Sequence, residues 1–156
     1  MHPTRNDMKL RTRTAMVALL NARLADALDL EAQTKQAHWN VRGENFIALH
    51  ELFDKLHEAA GDAVDEIAER AVALGGTALG TVQTVARATS LRPYPEAISE
   101  SRAHVEALAD AFAAFGRQLR KAIESSDKAG DADTADLFTG ISRDADKYLW
   151  MLEAHL

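Results

Sequence analysis

Four long stretches of this chain place apolar residues three or four positions apart, the spacing that gives a helix one buried side. The first spans about 10–38, with Leu10, Val17, Leu20, Leu24 and Leu28 on one stripe. The second, about 44–74, carries Phe46, Leu49, Phe53, Leu56, Val64, Ile67, Ala71 and Leu74. A third, about 96–125, repeats the pattern with Ile98, Val105, Leu108, Phe112, Phe115, Leu119 and Ala122, and a fourth, about 134–154, with Phe138, Ile141, Ala145, Tyr148 and Leu152. Such a chain must pack helices on helices. Aromatic residues make up only 6% of it against 47% hydrophobic overall, which favours a helical bundle over a β fold. Its 156 residues suit one domain, 1–156, which includes a short basic N-terminal arm at about 1–13.

The separators set the order. Asn40–Gly43 is a short turn, so the first two helices are expected to be antiparallel neighbours. Gly75-Gly76 is a helix stop, Pro95 suits the first turn of the third helix, and Gly130 ends that helix while Asp131 and Asp133 cap the fourth. The link 75–95 is about twenty residues, too long for an ordinary loop in a compact domain. Val82, Val85 and Ala86 predict a short helix within it. A 30-residue helix is about 45 Å long, so this link can run the length of the bundle and leave the second and third helices parallel. The expectation is an all-α four-helix bundle with a long second-to-third crossover.

Chemistry concentrates on the second helix. With His50 at zero and roughly 100° per residue, Asp54, Asp65 and Glu69 point to about 40°, 60° and 100°, one quadrant away from the core stripe. Asp54 and Asp65 are nevertheless about 16 Å apart in rise, so one helix cannot bring both to a single ion. The pairs His50/Glu69 and Asp54/Asp65 share the same midpoint, position 59.5. A twofold axis there sets an antiparallel copy against the helix, with His50 level with the partner's Glu69 and Asp54 level with the partner's Asp65. Small residues, Ala59, Ala60 and Gly61, lie at the crossing. Two equivalent sites result, about 22 Å apart. Imidazole and carboxylate without sulfur suit iron or a similar divalent ion, and His38 falls near the same end of the bundle. An acidic pair at four-residue spacing is by itself most often a solvated helix face; the shared midpoint is what favours ligation. No glutamate has a histidine three residues later, which disfavours a di-iron centre inside one bundle. His57, His104 and His155 have no matching partners and read as surface or packing residues.

These motifs resemble the Dps family of ferritin-like proteins. The resemblance is carried by Lys35-Gln36-Ala37-His38-Trp39-Asn40-Val41-Arg42-Gly43, by His50-Glu51 with Asp54, by Asp65 with Glu69-Arg70-Ala71, by Leu74-Gly75-Gly76, and later by Asp133-Thr134-Ala135-Asp136 and Ser142-Arg143-Asp144 with Asp146-Lys147 and Leu149-Trp150. It implies a ferritin-like subunit of a hollow dodecamer that oxidises Fe(II), preferably with hydrogen peroxide, and stores the ferric mineral. It assigns as ligands His38, His50 and Asp54 of one subunit with Asp65 and Glu69 of its partner. Trp39 is implied to lie by the metal site as a radical trap; the plainer reading is that it packs the turn. Trp150 and Tyr148 suit a core or interface role.

Asp127, Asp131, Asp133 and Asp136 crowd the last link; around a threefold axis they would form a negative funnel for Fe(II), with Asp127, Asp131 and Asp136 as pore residues. The plainer reading is a solvated, capping turn. Arg5, Lys9, Arg11 and Arg13 face one acid, Asp7, and could hold DNA through its phosphates, although the chain is acidic overall at net −6. The alternative function is therefore a non-specific, nucleoid-compacting DNA-binding protein with secondary iron chemistry, and a third is a helical oligomer without metal. No cysteine is present, so disulfides and thiolate sites are excluded. With no apolar leader and no membrane-length apolar run, a cytoplasmic location is expected.

Overall fold

A computed structural model describes residues 1–156 as five helices and no strand. They are α1 (Leu10–Asn40), α2 (Phe46–Ala73), α3 (Val82–Ala88), α4 (Ser101–Ala129) and α5 (Ala132–Glu153). The pairs α1/α2 and α4/α5 pack as hairpins, with α1 also against α4 and α2 against α5. Their shared core holds Leu20, Leu24, Phe53, Leu56, Leu119 and Phe138, all essentially inaccessible to solvent. Each such side chain contributes about 1.5–3 kcal/mol through burial.

The crossover follows α1. Asn21 bonds to Thr77 and Leu79, Asp26 accepts from the Ser90 amide, Asp29 from the Thr89 hydroxyl, and Gln33 donates to the Arg92 carbonyl. At the far end the Arg42 amide donates to Ser99. Contacts running from Asn21 to Arg42 span about 31 Å of helix. The chain therefore re-enters beside the start of α2, and α4 runs parallel to it as expected. Asp26 and Gln33 are buried. They give α1 a second buried side, apart from its leucine stripe.

One boundary and one core assignment differ from expectation. The third long helix begins at Ser101, so Pro95 is outside it and Ile98 lies in the irregular approach. The cause is the backbone bridge between Arg42 and Glu100, which holds these residues extended against the α1–α2 turn. Leu10 is also no core residue, being 58% exposed. The stops behave as read: Gly75 and Gly130 have φ of 84° and 76°, a left-handed backbone that favours glycine. A side chain on Gly76 would start 2.4 Å from Val17 Cγ1, so close packing requires glycine there too.

His104 is a packing histidine, 1% exposed, whose Nδ1 accepts the Tyr94 hydroxyl at 2.5 Å. Burial pushes the Tyr94 hydroxyl pKa up. Burial also lowers the His104 pKa from its ordinary 6.5, with the Asn40 carbonyl opposing the shift. As pH falls below 6.5 the unfolded chain takes up a proton there that the folded chain refuses, so stability falls toward acid. His104→Gln is expected to flatten this loss; urea midpoints at about pH 7 and about pH 5 for both proteins test it.

Candidate metal centre

His38 sits in the last turn of α1 and His50 in the second turn of α2, facing each other across the hairpin turn. Their rings stack with centroids 3.7 Å apart at 22°. Each ring holds the other's backbone: His38 Nδ1 donates to the His50 carbonyl and His50 Nδ1 to the His38 carbonyl, both at 2.9 Å. A carbonyl only accepts, so both Nδ1 atoms carry the proton and both Nε2 lone pairs are left for a metal.

Asp54, one turn beyond His50, lies 3.8 Å from His38 Nδ1 and accepts from Lys35 Nζ at 2.5 Å. The Lys35 hydrogen bond is the main cause holding the Asp54 carboxyl below its ordinary 3.8. At neutral pH the group is ionised with or without Lys35. If Asp54 binds a metal, Lys35 competes with that metal as a cation on the same carboxylate oxygen. Lys35→Met is expected to tighten Fe(II) binding by up to about fivefold, the range of an exposed ion pair; anaerobic Fe(II) titration checks it, and unchanged or weaker binding counts against the competition.

Asp65 and Glu69 are exposed on the same side of α2 and pair with nothing within the chain. One subunit thus places His38 against both His50 and Asp54 without converging three such side chains on one point, and leaves Asp65 and Glu69 apart, as their rise requires. Around the histidines the surface is apolar: Trp39 is 68% exposed, Ile47 62% and Phe46 40%. Phe46 lies with its ring 5.2 Å from that of His50. Trp39 does not pack the turn. Trp150, 64% exposed, is no core residue either, whereas Tyr148 packs partly buried against the core.

Small residues at the crossing need correction. Ala60 is 5% exposed and faces its own core, and Ala59 lines a hollow with Phe112 and Phe115. Of the three, Gly61 alone lies close to the His50–Glu69 quadrant.

Asp131 departs from a pore role. It is 2% exposed, accepts from the Thr134 amide, and meets Arg70 Nη2 at 2.7 Å. It caps α5 and anchors α2. Asp127 and Asp136 are exposed, and Asp133 lies 3.7 Å from Arg70 Nη1. The basic arm is also partly engaged. Arg11 and Arg13 belong to α1, and Arg13 donates to the Met8 and Leu74 carbonyls, leaving Arg5, Lys9 and Arg11 exposed. The His2 amide donates to the Gly75 carbonyl at 2.6 Å, which ties the arm's start to the end of α2.

A long-crossover four-helix bundle with histidine and carboxylate at one corner defines a ferritin-like protein, and the Ferritin family's ferritin-like domain matches residues 17–156. The chain is 47% identical over 155 residues to the DNA protection during starvation protein of Agrobacterium fabrum, covering 99% of this chain and 96% of that one. Among solved structures, the tetragonal form of Mycobacterium smegmatis Dps matches with a TM-score of 0.94 at 29% identity, covering 100% of this chain and 94% of that one. Dps of Microbacterium arborescens in its high iron form matches with a TM-score of 0.88 at 35% identity, covering 94% and 95%. Within the ferritin-like class, the chain belongs to the Dps family. No helix is long and apolar enough to cross a membrane.

Proposed function

We infer that the protein is a ferroxidase and iron-storage cage, a homo-oligomer of twofold α2/α2 dimers assembled as a dodecamer in the cytoplasm. The observation that carries this reading is the reciprocal lock of His38 and His50, which leaves both Nε2 atoms free, with the Asp54 carboxylate 3.8 Å from His38 Nδ1. The partner's Asp65 and Glu69 complete the ligand set. Fe(II) is the substrate. Two Fe(II) ions each give one electron to hydrogen peroxide; its O–O bond breaks and two protons complete two waters. The carboxylates hold the growing positive charge of the product, and the imidazoles keep the site loose enough to bind Fe(II). Ferric product is stored inside the shell, with Asp127 and Asp136 drawing Fe(II) to the entry and Trp39 intercepting stray one-electron oxidants.

The test is Fe(II) oxidation under peroxide and under oxygen, with particle size measured in parallel. Wild type should consume about one peroxide per two Fe(II). Asp65→Ala and Glu69→Ala should each slow oxidation at least about tenfold, the cost of about 1.4 kcal/mol of lost transition-state stabilisation, while the particle persists. Wild-type rates in both variants exclude this centre.

Exposed Arg5, Lys9 and Arg11 favour a second activity, non-specific DNA binding that would associate the particle with the nucleoid. Phosphate neutralisation makes such binding fall steeply with salt, so gel shifts across a salt series, with Arg5→Ala, Lys9→Ala and Arg11→Ala combined, separate it from iron chemistry.

A further inference from the structure

His57 lies one turn along α2 from Asp54, and its Nδ1 donates to the Glu31 carbonyl of α1 at 3.2 Å. This fixes the proton on Nδ1 and leaves Nε2 without a protein partner. The Glu31 carboxylate stands 3.9 Å from the same ring, and no lysine or arginine pairs with it. It leans across the hairpin to Gly61, where an added Cβ would lie 3.4 Å from Glu31 Oε1. Both side chains are 29% exposed. Within one chain this pair falls short of a metal cluster.

The twofold changes the count. Gly61 lies 1.5 positions from the midpoint at 59.5, about 2 Å of rise. The partner's Glu31, held over the partner's Gly61, therefore arrives at the level of position 58, about 1.5 Å of rise from His57. Because the axis crosses α2 at right angles, the α1 sides of both subunits emerge on one side of the dimer. Two carboxylates with no cationic side chain paired to them then converge on the axis, flanked by two imidazoles with free Nε2 atoms. Uncompensated, two such carboxylates repel; a cation between them removes the conflict.

We propose that His57 and Glu31 of both subunits form a second divalent-cation site on the twofold axis, separate from the iron-oxidising centre and holding one ion per two chains. Its imidazole and carboxylate donors, without sulfur, suit zinc, manganese, cobalt or Fe(II). The site rests on the α2/α2 pairing proposed above. Its ion ties two α1 helices together across the interface and acts as a structural clamp.

Zinc calorimetry on the assembled, metal-free particle tests it, in a background of Asp65→Asn with Glu69→Gln to weaken the oxidation centre. One class of sites at one zinc per two chains is expected. Adding either His57→Gln or Glu31→Gln should weaken that class at least tenfold. The pairing is read separately. The chain has no cysteine, so Glu58→Cys, exposed and 1.5 positions from the midpoint, should oxidise to a disulfide-linked dimer if the twofold is right. A cross-link with zinc binding unchanged by either substitution overturns the clamp and leaves the pairing standing. Failure to cross-link overturns the pairing, and the clamp with it.

Discussion

Mixing two inactive variants of this protein is expected to restore iron oxidation. If each centre takes His50 from one subunit and Glu69 from its partner, a dimer of His50→Ala with Glu69→Ala contains one centre carrying both defects and one carrying neither. Random re-pairing gives mixed dimers half the time, so about a quarter of all centres become intact. Each parent alone has none. After dissociation and reassembly of an equal mixture, the rate should rise to about a quarter of wild type, against at least about tenfold loss in either parent. A centre confined to one subunit behaves differently: mixing then yields only the average of two poor rates. No other simple arrangement produces recovery from two defects on the same helix. Reassembled particles that regain nothing, although their size is normal, would falsify the shared centre.

The sequence could pose this experiment because four of the five proposed ligands stand on one regular helix, α2, where position number converts directly into height and angle. His38 and His50 were readable as neighbours from the short turn between them, but their mutual lock was not, since each imidazole bonds to backbone of the other helix. Periodicity failed where one residue serves an irregular partner. Asp26, Asp29 and Gln33 look like a solvated stripe of α1, yet they hold the crossover through Ser90, Thr89 and Arg92. Ala60 was read as a crossing residue because it is small; it is instead buried on the side of its own subunit's core, where it lines a hollow with Phe112 and Phe115. The start of α4 was misplaced for a similar reason. Pro95 tolerates a helix, but the bridge from Arg42 to Glu100 decides the backbone. Asp131 looked like one of a row of surface acids. Only the fold brings Arg70, some sixty positions earlier, to its side.

That arginine is where the largest loss of stability is expected. Arg70 Nη2 meets Asp131 Oδ1 at 2.7 Å and its Nε donates to the Thr134 hydroxyl at 2.9 Å. The same hydroxyl donates to Asp131 Oδ2 at 2.6 Å. The Asp131 side chain is 1% exposed, so removing the guanidinium leaves a carboxylate with almost no access to water. Breaking a buried pair in this way costs about 3–5 kcal/mol. For a chain of this size that lowers the thermal midpoint by roughly 10 °C, measured at fixed protein concentration. Asp131→Ala should cost less, because Arg70 is 15% exposed and Asp133 already stands 3.7 Å from its Nη1. Arg70→Met combined with Asp131→Asn should recover part of the loss by removing the stranded charge. Arg70→Lys should also recover part of it, since it keeps a positive charge beside Asp131, but not all, because one ammonium cannot reproduce the separate Nε donor that reaches Thr134. If Asp131→Ala proves the more damaging single change, the capping bonds of α5 outweigh the buried charge. Glu69 adds a consequence for function. It occupies the same turn of α2 as Arg70, so loosening this anchor frees the carboxylate proposed to reach the partner, and on that reading iron oxidation should fall in Arg70→Ala even below its unfolding temperature.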